Sequence, residues 1–381
     1  MNELMMLIHT KSLLLKTVYF DFIEFCGLYC MIKFKALVLC EYTCFLIKDN
    51  LFSSRNTFMD ALLKQIYFAP EELRFRIEDE FTFPFSISIA SEKDLPSVVK
   101  TQLLDGDSSL DSLNIVEKKY LVFSAEAFFS EKQYKNCLQD KDGNRGTHGF
   151  SDDALIQMYQ SMIVDTLSRY TFLFGLAASI AVPGSYQINK RYLFCDDNLI
   201  KIQGGMLNPF EVVPEIVKKY KWPCLIEISV FEVWKWLLKI PGFEIGETKN
   251  KLGRAIGALS YLMGNFKDSN ELALVWVVIG LESLYGNGEF GLKQQIMEKT
   301  ESFLGERDAH KRDFGKMYDT RSRLLHGDRN FSYKGFGDLF GKNYKELIDS
   351  EGIALAALIG TLQKMCNQDI DELKFKLVAE I

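Results

Sequence analysis

The stretch YDTRSRLLHGD, residues 318–328, carries the pattern that decides the fold of the C-terminal part of the chain. Phe314, Tyr318 and Leu325 lie at offsets of four and eleven residues, the spacing expected for one apolar face of a helix. The pattern therefore predicts a helix over residues 307–325 that packs this face into a core.

The end of this helix brings an arginine and a histidine close together in the sequence. Gly327 is the residue type that most readily adopts a left-handed conformation, so the helix is predicted to stop just after His326. Arg321 falls on the apolar face, where a guanidinium needs a carboxylate, a phosphate or a symmetry-related copy as its partner. His326 lies about 140° further around the helix. A site that uses both residues is therefore expected at the helix end or across a two-fold interface.

A purely structural interpretation of the same residues also stands. Arg321, Arg323 and His326 are cations in the last turn of the predicted helix, where positive charge interacts favourably with the helix dipole. Upstream, Glu282 is the one charge in the apolar stretch LVWVVIGLESLYG. Glu282 is therefore the predicted partner of Arg321, either in a buried pair that fixes helix register or as a carboxylate that orients the arginine toward a phosphate.

The pattern Y-D-x-R-S-x-L-L-H-G resembles the R-x4-H signature of the HEPN superfamily, specifically that of the Apea-like HEPN domain. In that group a helix ends with an arginine, a polar residue, a spacer, a histidine and often a glycine. Arg321, Ser322 and His326 match these positions, and the stretch around Glu282 resembles the preceding helix of the group. The resemblance covers residues 245–370 and implies an all-α bundle of four or five antiparallel helices.

HEPN domains of this kind are often metal-independent endoribonucleases, and the resemblance implies that activity here. Arg321 and His326 are then the catalytic residues: His326 relays a proton from the ribose 2′-OH or to the 5′-oxygen, and Arg321 holds the scissile phosphate. Ser322 orients the phosphate or the histidine. Attack by the 2′-OH leaves a 2′,3′-cyclic phosphate and a 5′-hydroxyl end. Arg323 and Arg329 are predicted to bind the RNA, and neither a metal nor a cofactor is expected.

Such a ribonuclease would act in antiviral defence or as a toxin. Two alternative functions are also considered. One is a non-catalytic HEPN-like module for dimerisation and for binding RNA or a partner, in which Asp328 pairs with His326 or with an arginine. The other is a toxin subunit regulated by an antitoxin. The adenylylation-linked HEPN variant has a tyrosine where this chain has Asp328, which argues against that regulation. The expected partners are an RNA substrate, a second copy in a homodimer and a regulatory protein.

The length of the chain suggests two domains, and the composition is that of an ordinary globular protein. The 381 residues are 48% hydrophobic and 25% charged, with a formal net charge of −6. This bulk charge argues against nonspecific binding of nucleic acid, although residues 307–334 hold eight Lys/Arg against four Asp/Glu. We predict an α+β protein: a mixed α/β domain of unknown role over residues 1–240, then an all-α HEPN-like bundle over residues 241–381.

The cysteine pattern favours buried thiols over a zinc site. Cys26, Cys30, Cys40 and Cys44 form a C-x3-C-x9-C-x3-C pattern, but their neighbours are aromatic and aliphatic and the C-x2-C knuckle is missing. No signal peptide is recognisable, so a reducing cytoplasm is the expected compartment. Charged residues interrupt the apolar residues 17–47, which argues against a membrane span.

The remaining elements are predicted from alternation, periodicity and helix caps. Strands are predicted over residues 17–25, 32–39, 83–90, 119–125, 191–195 and 224–230. A hairpin turn is expected at Gly204 and Gly205. Helices are predicted over residues 55–65, 94–104, 127–137 and 151–180, and after Pro241 over residues 249–263, 268–285, 292–304, 307–325 and 344–366.

Overall fold

The computed structural model describes residues 31–43, 65, 73–77, 81–95, 97, 99–101, 118–130, 152–186, 188–206, 209–265, 270–288, 291–307, 311–329 and 342–375. The described strands are β1 (Met31–Thr43), β2 (Leu73–Ile77), β3 (Phe81–Ser91), β4 (Lys118–Ser130), β5 (Ile188–Cys195) and β6 (Asn198–Met206). The described helices are α1 (Asp152–Ala181), α2 (Val212–Tyr220), α3 (Val230–Leu238), α4 (Lys251–Asn265), α5 (Asn270–Tyr285), α6 (Leu292–Leu304), α7 (Lys311–Leu325) and α8 (Lys342–Asn367). The chain is therefore α+β, as predicted.

The strands form one sheet in the order β2-β3-β4-β1-β5-β6, in which all neighbours are antiparallel. Side chains alternate between the two faces of a strand. In β1, Phe34, Ala36 and Val38 therefore join the main core with the long helix α1, whereas Leu39 belongs to a smaller cluster on the opposite face. Val99 is part of that smaller cluster.

Two predictions about the sheet are wrong. The predicted helix over residues 127–137 begins in β4, whose residues 127–130 continue the pairing with β1. The predicted turn at Gly204 and Gly205 lies inside β6, and the hairpin turns instead at Asp196 and Asp197, with φ angles of 47° and 65°. Aspartate tolerates this left-handed conformation better than most residues, so the pair can replace the glycines. The predicted strand over residues 17–25 lies outside the described residues, and of the predicted helix over residues 55–65 only Gln65 is described, as helical.

The predicted strand over residues 224–230 is also absent, because this segment is an extended approach to helix α3. The side chain of Ser229 accepts a hydrogen bond from the backbone N–H of Phe231, and the carboxylate of Glu232 accepts one from the backbone N–H of Ser229. This reciprocal pattern is a capping box, which fixes a helix start. Trp234 then packs into the core of the molecule.

One main core includes residues on both sides of residue 240. Trp234 packs its indole against Tyr170 and Phe174 of α1, at centroid distances of 6.0 and 6.1 Å. The buried amide of Gln363 in α8 donates to the carbonyl of Ile180 at 2.7 Å and accepts from the backbone N–H of Ile226 at 2.9 Å. The first bond ties helix α8 to α1, and the second ties it to the segment before α3. The division into domains at residues 240 and 241 remains a prediction.

Helices α4 to α8 form a packed helical layer after residue 250. Helix α5 lies at its centre, in contact with α4, α6, α7 and α8, and it is apolar on nearly every side, as predicted for a central helix. The predicted and observed bounds of α6 agree at Leu292–Leu304. Among the described residues, no helix combines the length and apolar character needed to cross a membrane.

Candidate functional site

Helix α7 carries the R-x4-H motif and buries one face against α5, α6 and α8. Phe314, Met317 and Leu324 are buried on this face, together with the hydroxyl side chain of Thr320. The predicted place of Leu325 on the same face is wrong, because this side chain is 52% exposed. Leu325 is the last helical residue, and its neighbour Leu324 takes the buried position instead.

Arg307 lies before α7 and not within it, in contrast to the predicted helix start. Its side chain is fully buried, with the guanidinium 4.4 Å from the ring centroid of Phe314 and 5.2 Å from that of Trp222. Nη2 donates to the carboxylate of Glu301 at 3.1 Å. Burial lowers the pKa of Arg307, while Glu301 opposes that change. This arginine holds the start of α7 against α6.

Arg321 and Glu282 are in direct contact between α7 and α5, as expected from their isolation among apolar neighbours. Nη2 of Arg321 donates to Oε2 of Glu282 at 3.0 Å. The arginine side chain is 16% exposed and that of the glutamate 18%, so the pair lies at the edge of the helical layer. Nε of Arg321 is buried and has no hydrogen-bond partner among the described residues. The pair therefore connects α7 to α5, and the guanidinium of Arg321 keeps an N–H donor that is not used by the described residues.

Tyr318 completes this group from one turn earlier on α7. Its hydroxyl donates to Oε1 of Glu282 at 2.9 Å, and its ring centroid lies 5.8 Å from Cζ of Arg321. Burial and the bond to Glu282 raise the pKa of Tyr318 to about 12. The phenol therefore stays protonated and acts as a donor throughout the physiological range.

His326 lies in an exposed turn just past the end of α7. Its backbone N–H donates to the carbonyl of Ser322 at 3.0 Å, and Gly327 follows with a φ angle of 77°. This left-handed residue ends the helix, as predicted, because only glycine adopts it without steric cost. Ser322 is half-buried, and Arg323 is exposed one residue further along. Within the described part of the chain, no side-chain hydrogen bond joins His326 or Ser322 to Arg321.

Arg329, which is predicted with Arg323 to bind RNA, lies mostly buried against helix α8. Its side chain is only 10% exposed, and Nη1 lies 3.5 Å from Oε1 of Glu346 in α8. Its backbone N–H donates to the carbonyl of Arg323 at 3.1 Å. Arg329 therefore closes the turn that contains His326, while Arg323 is the exposed cation of the predicted RNA-binding pair.

The described residues around the R-x4-H motif form no recognisable metal site. No cluster of three or more His, Cys, Asp or Glu with the arrangement of metal ligands occurs among the described residues. Cys40, the described member of the four-cysteine pattern, is fully buried in β1, and burial raises the pKa of its thiol to about 12. Cys26, Cys30 and Cys44 lie outside the described residues.

Sequence reasoning missed the roles of Tyr318 and Glu346. Tyr318 lies three residues before Arg321, a spacing that brings side chains together on a helix and that offered a usable signal. Glu346 offered none, since its contact with Arg329 depends on how α8 packs against α7.

Comparison with known proteins identified no relative of this chain. No protein-family model, no curated protein and no solved structure matches the chain.

Proposed function

We propose that this protein is a metal-independent endoribonuclease of the HEPN type. The observation that carries the proposal is the placement of Arg321. Glu282 and Tyr318 hold it, it remains 16% exposed, and the exposed His326 follows at the helix end. A positioned guanidinium and a histidine are the groups that cleavage of a phosphodiester by the neighbouring 2′-OH requires.

The proposed reaction balances without a further reactant. The 2′-oxygen forms a bond to phosphorus as its proton leaves, and the bond from phosphorus to the 5′-oxygen breaks as that oxygen gains a proton. His326 exchanges these protons, since an imidazole is a common general acid and general base in enzymes. Arg321 stabilises the negative charge on the phosphoryl oxygens, with Ser322 as an additional donor. The products are a 2′,3′-cyclic phosphate and a 5′-hydroxyl.

We also propose that the active form is a homodimer in which the two copies of helix α7, which carries the R-x4-H motif, meet. A single histidine cannot be base and acid in the same step, whereas two copies supply one of each. Leu325, which is 52% exposed between Arg323 and His326, is the proposed apolar contact of this helix end with the second copy. The symmetry of such a dimer brings identical residues together across the axis.

A non-catalytic module for dimerisation and for binding RNA or a partner is the second candidate. It is favoured by the carboxylates that already neutralise Arg321 and Arg329, namely Glu282 and Glu346. A guanidinium whose charge is already neutralised within the protein has less to offer a phosphate. Measured cleavage separates the two candidates.

The test is an RNA cleavage assay in EDTA with analysis of the product ends. Wild-type protein is incubated with tRNA and mRNA, and the cleavage position is mapped. A second substrate then carries 2′-deoxyribose at the residue before the scissile phosphate. The proposal predicts a 2′,3′-cyclic phosphate and no cleavage of the deoxy substrate. A 3′-hydroxyl product, or cleavage of the deoxy substrate, contradicts the proposed chemistry.

A further inference from the structure

Glu282 divides its two carboxylate oxygens between two partners. Oε1 accepts from the hydroxyl of Tyr318 at 2.9 Å, and Oε2 accepts from Nη2 of Arg321 at 3.0 Å. An arginine and a carboxylate frequently form two parallel hydrogen bonds, which use both oxygens. Here only one such bond forms, and the buried Nε of Arg321 has no hydrogen-bond partner in the described part of the chain.

We propose that Tyr318 is a positioning residue for Arg321. The bond to Tyr318 holds the carboxylate of Glu282 in an orientation in which only Oε2 accepts from the guanidinium, and this keeps Arg321 able to bind a phosphate. This inference rests on the proposed function, since the phosphate is that of the RNA substrate. It adds a residue and a role that the R-x4-H motif does not contain.

The contact between the ring of Tyr318 and the guanidinium also helps to position Arg321. Its ring lies beside the guanidinium, 5.8 Å from Cζ to the ring centroid, where the negative face of the ring attracts the cation. Tyr318 and Arg321 are three residues apart on α7, so the helix itself fixes their separation. The ring restricts the position of the guanidinium, and the hydroxyl restricts the number of hydrogen bonds that Glu282 accepts from it.

The Tyr318→Phe variant separates these contributions, because it keeps the ring and removes only the donor. Glu282 is then free to turn both oxygens toward Nε and Nη2 of Arg321. We expect kcat/KM for RNA cleavage to fall on the order of 10-fold to 100-fold. Tyr170→Phe is the matched control, since it removes a hydroxyl that donates to Glu244 at 2.8 Å on a different part of the molecule. Its cleavage rate should equal that of the wild type.

A rescue experiment distinguishes positioning from a structural role. Glu282→Gln leaves a single acceptor oxygen, so the side chain cannot accept two hydrogen bonds from Arg321 through two oxygens. The double variant Tyr318→Phe with Glu282→Gln should therefore cleave RNA faster than Tyr318→Phe alone. If the tyrosine only supports folding, the two losses add, and the double variant is the slower one. That outcome overturns the proposal.

An NMR measurement tests the arrangement without reference to cleavage. The Nε–H resonance of Arg321 is assigned by its disappearance in Arg321→Lys. In Tyr318→Phe it should move downfield as Nε–H gains a carboxylate acceptor, and in the double variant it should return toward its wild-type position. An unchanged resonance in Tyr318→Phe overturns the proposal. If the resonance moves but wild-type protein cleaves no RNA, the hold of Tyr318 on Glu282 is supported and the proposed ribonuclease function is contradicted.

Discussion

Arg329 and Glu346 connect the turn that carries His326 to helix α8, with Nη1 of the arginine 3.5 Å from Oε1 of the glutamate. The backbone N–H of Arg329 also donates to the carbonyl of Arg323, so both ends of this short turn are held. The proposed catalytic role of His326 requires such support, because the position of a histidine determines the rate of proton transfer. The ion pair gives the turn a fixed place beside α7.

Replacement of Arg329 by alanine should therefore reduce activity more than stability. The partner Glu346 is 42% exposed, so the loss of the pair costs only about 1 kcal/mol of unfolding free energy. We expect cleavage to fall on the order of 10-fold, since a loosened turn spends less time in the reactive geometry. Lys219→Ala is the matched control, because it removes an ion pair to Asp349 that also reaches α8. Equal cleavage rates for the two variants would show that the turn needs no such anchor.

Substitutions of Arg321 should separate phosphate binding from folding. In Arg321→Ala the carboxylate of Glu282 loses its partner, and removal of one member of a buried pair costs about 3–5 kcal/mol. Exposures of 16% and 18% place this pair toward the lower end of that range. Arg321→Lys keeps the charge but loses the planar fork of donors.

We therefore expect Arg321→Lys to melt close to the wild type while its cleavage rate falls at least 10-fold. Arg312→Lys, an exposed change in the first turn of α7, serves as the control and should leave both properties unchanged. Thermal melts and cleavage rates measured on the same samples give the comparison. Wild-type cleavage by Arg321→Lys would remove phosphate binding from the roles of this arginine.

The proposed homodimer predicts a selective effect at Leu325. Leu325→Glu places a charge where two motif helices are proposed to meet, so it should yield monomers and abolish cleavage. Ile245→Glu changes a side chain of similar exposure, 54% against 52%, at a site outside the helices. It should leave assembly and activity intact. Sedimentation at micromolar concentration measures the assembly, and a wild-type monomer that still cleaves RNA would contradict the dimer.

Glu351 should make the stability of the protein depend on pH. Its side chain is 4% exposed in α8, and burial, together with the charge of Glu271, raises its pKa from 4.5 to about 8. The folded protein then holds a proton that the unfolded chain has released. The free energy of unfolding therefore falls as the pH rises from about 4.5 to about 8, and this contribution is constant above that range.

Glu351→Gln should remove this dependence. One pKa unit corresponds to about 1.36 kcal/mol, so the variant should gain on the order of 3–5 kcal/mol relative to the wild type between pH 4.5 and pH 8. Urea unfolding at pH 5, 6, 7 and 8 on both proteins measures the difference, in which other titrating groups cancel. A constant difference across these pH values would show that the carboxyl titrates normally in the folded protein.

The sequence predicted the long helices well and the shorter elements less well. Helix α6 has strong boundaries, because Gly291 and Gly305 flank an uninterrupted helical stretch. The segment before α3 was assigned to a strand from its alternating aliphatic residues, although Ser229 and Glu232 have the spacing of a capping box. Local alternation alone could not show that the sheet ends before this point. That information lies in contacts between residues distant in the sequence.

The candidate site shows the same division. The partnership of Arg321 with Glu282 could be predicted, because each is an isolated charge among apolar residues and each needs the other. The pair formed by Arg329 and Glu346 could not, because nothing in either local sequence indicates that these two elements meet. The exposure of Leu325 depends on where α7 extends beyond the helices packed against it. The helical period of the sequence carries no information about that point.

His326 is proposed to carry out the proton transfers, and one measurement tests this role most directly. Cleavage of a mapped RNA substrate in EDTA is compared between wild type and His326→Ala, with thermal melts of both proteins. The histidine is exposed beyond the last helical turn, so its removal should cost no more than about 0.3–1 kcal/mol of stability. We predict a variant that melts like the wild type and cleaves at least 100-fold more slowly. A variant that cleaves at the wild-type rate would contradict the ribonuclease mechanism.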